Sequence, residues 1–449
     1  MLLPLLACAD PPAPSGPPSI VLVSLDTTRA DRLGAWGSAA GLTPSLDRFA
    51  EEAVVFTRAY AQSNSTASSH RSVFTSRYPC EPTSDAPTLA EILHTYGYAT
   101  AAFSAGGELA RGGGFERGFD TYSSSLDFGS FWHTAPPATV WLAEHRDGPV
   151  FEFVHSYDAH ARYLKPTPFT HVGDVSPPLS YLLASSKARV IDGFLHADTN
   201  ALAWVSATYL RARSEPARTR LAEMAPDAPL LDETELAHVR RAYDDGVAYM
   251  DVGFGMLMAS LQAQGRLDDA WVVVFADHGE QLGEDGMFDH PFALTDAETH
   301  VPLMIRAPRG EGGGRHVDAL VELSDILPTL VELAGGVPPA DMRGTSLLPA
   351  VRGEPLAGHD VAFSVGGWQS RIVSVRSPEA RLTYTGVSAG SRVLPDLVAA
   401  ASLPGPGFDG EADPALRDRL VARLRSLPAN DAVAKPAPLR QGLRDRGYF

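Results

Sequence analysis

The sequence predicts an α/β fold: a mostly parallel central sheet with helices on both faces, followed by a small carboxyl-terminal α+β subdomain. Three observations predict it. The runs 19–26 (SIVLVSLD) and 271–275 (WVVVF) are too apolar and β-branched for half-exposed strands, and read as strands covered on both faces. Between them, strand-like segments alternate with helix-periodic ones. From about His359 onward, short strands separated by turns replace that alternation.

The elements follow in order. The first strand ends in Asp26, and the loop after it (TTRADRLGAWG) carries Arg29 and Asp31. Thr43-Pro44-Ser45 starts a helix with Leu46, Phe49 and Ala50 on its apolar face. A strand at 54–56 continues towards Ala61. Residues 62–72 (QSNSTASSHRS) lack any large apolar side chain and read as a loop running into a helix amino terminus, where backbone donors can take an anion. A plain Ser/Thr linker has the same composition. An amphipathic helix at 88–96, stopped by Gly97, precedes a strand at 98–103 and a glycine-rich loop through 112–114. The strand at 149–155 (PVFEFVH) leads into His155, Asp158 and His160. Residues 175–231 are helical in character without legible chemistry. A long helix at 235–264 runs through Val239, Tyr243, Val247, Met250 and Leu257. Beyond the 271–275 strand come a strand at 301–305, a loop at 308–314 and a helix at 325–333. Short strands at 361–363, 371–375 and 381–384 and a helix near 415–427 complete the chain.

Net charge is −17, from 54 acidic and 37 basic residues, which disfavours nucleic acid and anionic membranes as general partners. It leaves room for an anionic substrate, because a metal and a few cations reverse the field locally. No apolar run approaches the length of a transmembrane helix. With only Cys8 and Cys80, there is no disulfide framework. Leu5-Leu6-Ala7-Cys8 has the pattern of a bacterial lipobox, and the Pro-rich ADPPAPSGPP behind it reads as an extended tether. The apolar stretch is short and no Lys or Arg precedes it, so a plain disordered amino terminus is the other reading.

Chemistry collects where strands end. Asp277-His278-Gly279-Glu280 follows the 271–275 strand, and open parallel sheets bind ligands just beyond the carboxyl ends of their strands. An adjacent carboxylate and imidazole can hold a divalent metal. Taken alone, they serve equally as a cap and a turn residue.

Together these pieces resemble the sulfatase family of the alkaline-phosphatase superfamily. The resemblance runs through SLDTTRADRLGAWG with TPSLDRFA, LAEILHTYGYATAAFSAG, FEFVHSYDAHARY, DHGEQLGEDG with HVPLMIRAP, LPTLVELAG with GTSLLP, and LRQGLRDRGYF, in the family's order over nearly the whole chain. It implies an alkaline-phosphatase-like fold and hydrolysis of phosphate or sulfate esters. It implies one divalent metal held by Asp26, Asp277 and His278, with the nucleophile as a further ligand. Arg29, His70, Arg71, His160 and His290 are then candidates to hold ester oxygens or protonate the leaving group. The lipobox-like start and the change of pattern near His359 divide the chain into a signal- or lipoprotein-like segment with tether (1–18), a sulfatase-like catalytic domain (19–357) and a carboxyl-terminal subdomain (358–449). Export is expected, to the periplasm or to an outer-membrane tether through a lipid anchor at Cys8.

The nucleophile motif departs from the family's Cys-x-Pro-Ser-Arg, whose cysteine is oxidised to formylglycine. Here Thr66 stands at the cysteine, Ser68 at the proline, Ser69 at the serine and His70 at the arginine. A threonine cannot become formylglycine. Threonine nucleophiles occur in relatives that cleave or transfer phosphoesters and phosphonates, so phosphorus chemistry is favoured over sulfate; Ser65 in a shifted loop is the alternative nucleophile. Calcium-type members carry a second acid where this chain has Thr27, and Asp-Asn where it has Asp277-His278. The imidazole moves the donor set towards zinc or manganese and away from calcium. His155, Asp158 and His160 could supply a second metal, although one is favoured. The expected partner is an anionic ester, a small molecule, lipid or glycan, and no nucleic acid. Two other functions fit the same residues: a phospho-group transferase acting on a lipid or glycan, and a degenerate member that binds an anion or glycan without turnover.

Overall fold

The computed structural model of this 449-residue chain describes residues 17–81, 83–124, 128–160, 163, 165–166, 168–169, 233–284, 288–290, 294–366, 372–378, 381–385 and 408–409, with positions 415, 418, 419 and 422. The expected signal segment and Cys8, the 175–231 stretch and most of the 415–427 helix lie outside the described residues.

In chain order the strands are β1 (Ser19–Leu25), β2 (Val54–Tyr60), β3 (Ala99–Phe103), β4 (Thr121–Ser123), β5 (Val150–Ser156), β6 (Ala270–Phe275), β7 (Gln281–Leu282), β8 (Phe288–Asp289), β9 (His300–Val301), β10 (Leu303–Arg306), β11 (Arg315–Glu322), β12 (Ala362–Val365), β13 (Ile372–Arg376), β14 (Arg381–Thr385) and β15 (Phe408–Asp409). Nine of them form one sheet, ordered β11-β2-β10-β6-β1-β5-β3-β4 with β9 beside β2. β1 is buried along its whole length, as its apolar run requires. It lies parallel to β5 on one side and β6 on the other. β3 and β4 continue the parallel half. β10 runs antiparallel to both β6 and β2. The described part of the β6–β10 connection holds the short β7–β8 hairpin, a four-residue helix (Asp296–Thr299) and β9, with no crossover helix, so the chain re-enters the sheet from the end at which β6 left it. β12 to β15 form a separate antiparallel sheet, joined to the main body where Phe363 meets Tyr78 edge-on at 5.0 Å.

The larger helices are α1 (Pro44–Glu51), α2 (Thr66–Thr75), α3 (Leu89–Thr95), α4 (Phe131–Glu144), α5 (Glu233–Ala263) and α6 (Ile326–Leu333). α1 and α4 pack on α5, while α2 and α3 pack on α6, giving two helical layers. α1 lacks a side-chain cap of its own; Asp251 of α5 supplies it by accepting from the Ser45 and Leu46 amides at 2.9 and 2.8 Å.

Two elements, α4 and β11, fall where none was expected, and α2 is the helix into which the polar run was expected to lead. α4 forms although Pro136 and Pro137 lie within it, because it buries Phe131, Ala135, Ala138, Trp141 and Leu142. That burial outweighs the local helix-breaking preference. β11 occupies a stretch with no strand expected, pairing with β2 at the sheet edge. α2 begins at Thr66, so most of the polar 62–72 run is helix.

The topology settles where the chemistry lies. β1, β5 and β6 are adjacent and parallel, so their carboxyl ends fall on one edge, with Ser24 opposite both His155 and Phe275.

Candidate active site

Asp26, one residue beyond β1, and Asp277, two residues beyond β6, are fully buried. Asp277 Oδ1 accepts from the Thr27 amide (3.2 Å) and the His278 amide (2.9 Å). Thr27 adopts φ 51°, a strained conformation for a β-branched residue, and the Tyr243 hydroxyl of α5 holds that turn by donating to the Thr27 carbonyl at 2.8 Å and accepting from the Arg29 amide at 3.0 Å. Gly279 must be glycine, since a Cβ there would lie 2.1 Å from the Ala297 carbonyl oxygen.

Asp26 Oδ2 accepts from Thr66 Oγ1 and from His155 Nε2, each at 3.2 Å. The other oxygens, Asp26 Oδ1 and Asp277 Oδ2, are buried without a hydrogen-bond partner among the described residues. His278 Nδ1 donates to the Gly279 carbonyl (2.9 Å), which leaves the Nε2 lone pair facing Thr66 Oγ1 at 3.3 Å. Ligand atoms of Asp26, Asp277 and His278 all lie within 4.8 Å of one another, and no other such group occurs among the described residues. Burial, and next the charge of Asp277, push the Asp26 carboxyl well above its ordinary range. Orphaned carboxylate oxygens beside an imidazole lone pair are what a divalent cation satisfies, so these residues fit the metal the family implies.

Thr66 is the first residue of α2, with extended Ser65 as its N-cap. His70 lies one turn on, fully buried. Its Nδ1 donates to the Thr66 carbonyl (2.8 Å) and its Nε2 accepts from Ser24 Oγ (2.9 Å). Burial lowers its pKa, and both nitrogens are occupied. His70 therefore braces the amino-terminal turn of α2 against β1. Arg29 is occupied in a similar way. Its guanidinium is used on Asp31 (2.7 and 2.9 Å), Glu284 (2.7 Å) and the Glu280 carbonyl (3.1 Å), tying the first loop to the DHGE loop. Arg71 points along α2, over the Phe115 ring at 5.3 Å.

His160 and His290 are buried beside the cluster, at 9% and 5% exposure. Their Nε2 atoms face each other at 3.3 Å. His290 Nδ1 donates to the Asn64 carbonyl (2.9 Å), and its ring lies 4.2 Å from that of His278. The residues weighed for a second metal are separated in role. His155 turns to Asp26, Asp158 accepts from the Phe131 amide (3.0 Å) and caps α4, and His160 faces His290. Tyr243, legible only as a core position of the long helix, Asn64, one of a polar run, and Glu108 carry no mark of a place in the site in the sequence. Glu108 Oε2 accepts from the Ala67 amide (2.9 Å) and from Ser65 Oγ (3.2 Å), on either side of Thr66.

A mostly parallel sheet with a buried carboxylate–imidazole cluster at the carboxyl ends of its central strands defines the class as an α/β protein with a candidate metal centre at that edge. A family model, Sulfatase, matches residues 18–337, and the chain belongs to the sulfatase family. Choline-sulfatase of Rhizobium meliloti (strain 1021) is 30% identical over 190 residues, 40% of this chain and 33% of that enzyme, so the match spans a third of the curated relative. The fold is that of the phosphonate monoester hydrolase of Agrobacterium radiobacter, with TM-score 0.59, 19% identity, and 82% and 89% of the two chains covered. It is also that of the C-terminal periplasmic domain of EcEptC from Escherichia coli in complex with Zn, with TM-score 0.55, 15% identity, and 82% and 95% covered.

Proposed function

We propose that this sulfatase-family hydrolase acts on phosphoric or sulfuric esters through a covalent intermediate on Thr66, with phosphoester or phosphonate substrates preferred to sulfate esters. One observation carries the reading. Thr66 Oγ1, at a helix amino terminus, lies 3.2 Å from Asp26 Oδ2 and 3.3 Å from His278 Nε2. The threonine at position 66, which cannot be oxidised to the aldehyde that sulfatases use, supports phosphorus over sulfur.

A divalent ion held by Asp26, Asp277 and His278, with Thr66 as a further donor, would supply Lewis acidity towards the hydroxyl and the ester oxygens. Zinc or manganese suits the mixed carboxylate and imidazole set, and the zinc complex of the EcEptC domain is consistent with that choice. Thr66 Oγ1 gives its proton towards Asp26 Oδ2 and forms the new ester bond, while the bond to the leaving group breaks. The His160–His290 pair, beside the His278 ring, protonates the departing oxygen. Water, deprotonated by the same pair, then cleaves the Thr66 ester and restores the hydroxyl. Export and a lipid anchor at Cys8 belong to the same reading, supported by Leu5-Leu6-Ala7-Cys8; Cys8→Ser should move the protein from membrane to soluble fractions, and an unchanged distribution would exclude the anchor.

The deciding experiment assays metal-loaded protein against aryl phosphate, phosphodiester, phosphonate and sulfate esters beside Thr66→Ala. Turnover should fall at least about 10³-fold in the variant. Full activity in Thr66→Ala would remove the nucleophile, and no turnover with any metal would leave an anion-binding protein.

A further inference from the structure

We infer that Glu108 is a specificity-determining residue, making the site select esters whose reacting group carries one negative charge over dianionic phosphate monoesters. The inference rests on Thr66 as nucleophile. Its basis is the carboxylate beside that residue: Glu108 Oε2 takes the Ala67 amide at 2.9 Å and the Ser65 hydroxyl at 3.2 Å. The amino terminus of α2, ten residues long, is where an ester oxygen would be received, because its first amides have no partner within the helix. Here an acidic side chain already occupies one of them.

The placement is built into the fold. Gly106 and Gly107 both adopt positive φ (82° and 57°), turning the chain so that Glu108 reaches α2. The Tyr157 hydroxyl fixes the turn by accepting from the Glu108 amide (3.1 Å) and donating to the Gly106 carbonyl (3.3 Å). A Cβ on Gly107 would meet that hydroxyl at 2.6 Å.

Charge then decides. Asp26, Asp277 and Glu108 set three carboxylates against the two positive charges of a single divalent ion. The field of Glu108 reaches both Asp26 and Arg71. Arg71 is turned over the Phe115 ring (5.3 Å) and towards the Gly113 carbonyl (3.4 Å). An ester with one negative charge meets the repulsion of Glu108 once, and a dianion meets it twice. A phosphodiester, a phosphonate monoester and a sulfate monoester all carry the single charge.

The competing account is that Glu108 only caps α2, as Asp251 caps α1. A ratio separates the two. An aryl phosphate monoester and an aryl methyl phosphodiester with the same leaving group are assayed at pH 8 on one preparation each of wild type, Glu108→Gln, Glu108→Ala and Thr66→Ala. Losses of folding or metal affect both substrates alike and cancel. Wild type should favour the diester, and Glu108→Gln, which keeps an oxygen to accept from Ala67, should raise the monoester-to-diester ratio of kcat/KM at least about tenfold. Glu108→Ala should raise it as far. An unchanged ratio in both, or a wild type that already prefers the dianion, overturns the inference while leaving Thr66 in place. Activity that survives in Thr66→Ala overturns both.

Discussion

Replacing Asp277 by asparagine should stabilise the metal-free protein while abolishing its response to metal. The Asp26 and Asp277 ligand oxygens lie within 4.8 Å of each other, and two unit charges at that separation repel by about 3.5 kcal/mol at an effective dielectric of about 20. Burial and the Asp277 charge both push the Asp26 carboxyl up, the direction that relieves part of this repulsion. The relief available to Asp277→Asn is therefore about 1–3 kcal/mol at neutral pH. Asparagine keeps the oxygen that accepts from the Thr27 and His278 amides. Its amide nitrogen replaces an orphaned oxygen and can donate towards Asp26. In chelator the variant should melt a few degrees above wild type. With zinc or manganese at 100 times the dissociation constant, wild type should gain about 2.7 kcal/mol and the variant nothing. Thermal unfolding with and without metal, alongside elemental analysis, tests both halves. A variant that melts lower in chelator, or holds metal at wild-type stoichiometry, would refute the reasoning.

Two further perturbations follow. His290→Ala removes one member of the pair proposed to carry the proton, so kcat/KM should fall about 10²–10⁴-fold for an alkyl leaving group and far less for a nitrophenyl one; equal losses on both would assign His290 to binding. Glu152, in the middle of β5, is fully buried with both carboxylate oxygens unpartnered among the described residues, and burial pushes it well above its ordinary 4.5, with Arg266 opposing. Its folded pKa is raised, so its contribution to stability is complete below about pH 4.5 and is lost as pH rises through the folded value. Glu152→Gln should match wild type near pH 4 and melt higher at pH 8; unfolding curves with the same pH slope would contradict this.

The legible parts of this protein share one property: they are local. The apolar runs of β1 and β6 announce covered strands without reference to anything else, and the residues just beyond them, Asp26 and Asp277-His278, lie together because parallel neighbours end on one edge. Thr43-Pro44 marked α1, and the Thr88–Glu91 capping box held α3 where its apolar spacing placed it. The departures are tertiary in origin. α4 crosses two prolines because its apolar face is covered, and α2 starts early because the polar run at its amino terminus packs into a site instead of facing water. Arg29 and His70 stand at motif positions, but motif position does not say where a side chain's hydrogen bonds go. Arg29 met Asp31 and Glu284, and His70 met Ser24 and the Thr66 carbonyl.

By itself the sequence determined the sheet's central strands, the carboxylate–imidazole pair after β6 and the threonine at the nucleophile position. These depend on residue type and on spacing along one chain. Only the tertiary structure decided that Thr66 Oγ1, Asp26 and His278 converge, that Asp26 Oδ1 and Asp277 Oδ2 are left unpaired among the described residues, and that Glu108 stands against the amino terminus of α2. Glu108 reaches α2 from a separate turn, forty-one residues beyond Ala67, and a hydrogen bond across such a separation has no periodicity to announce it.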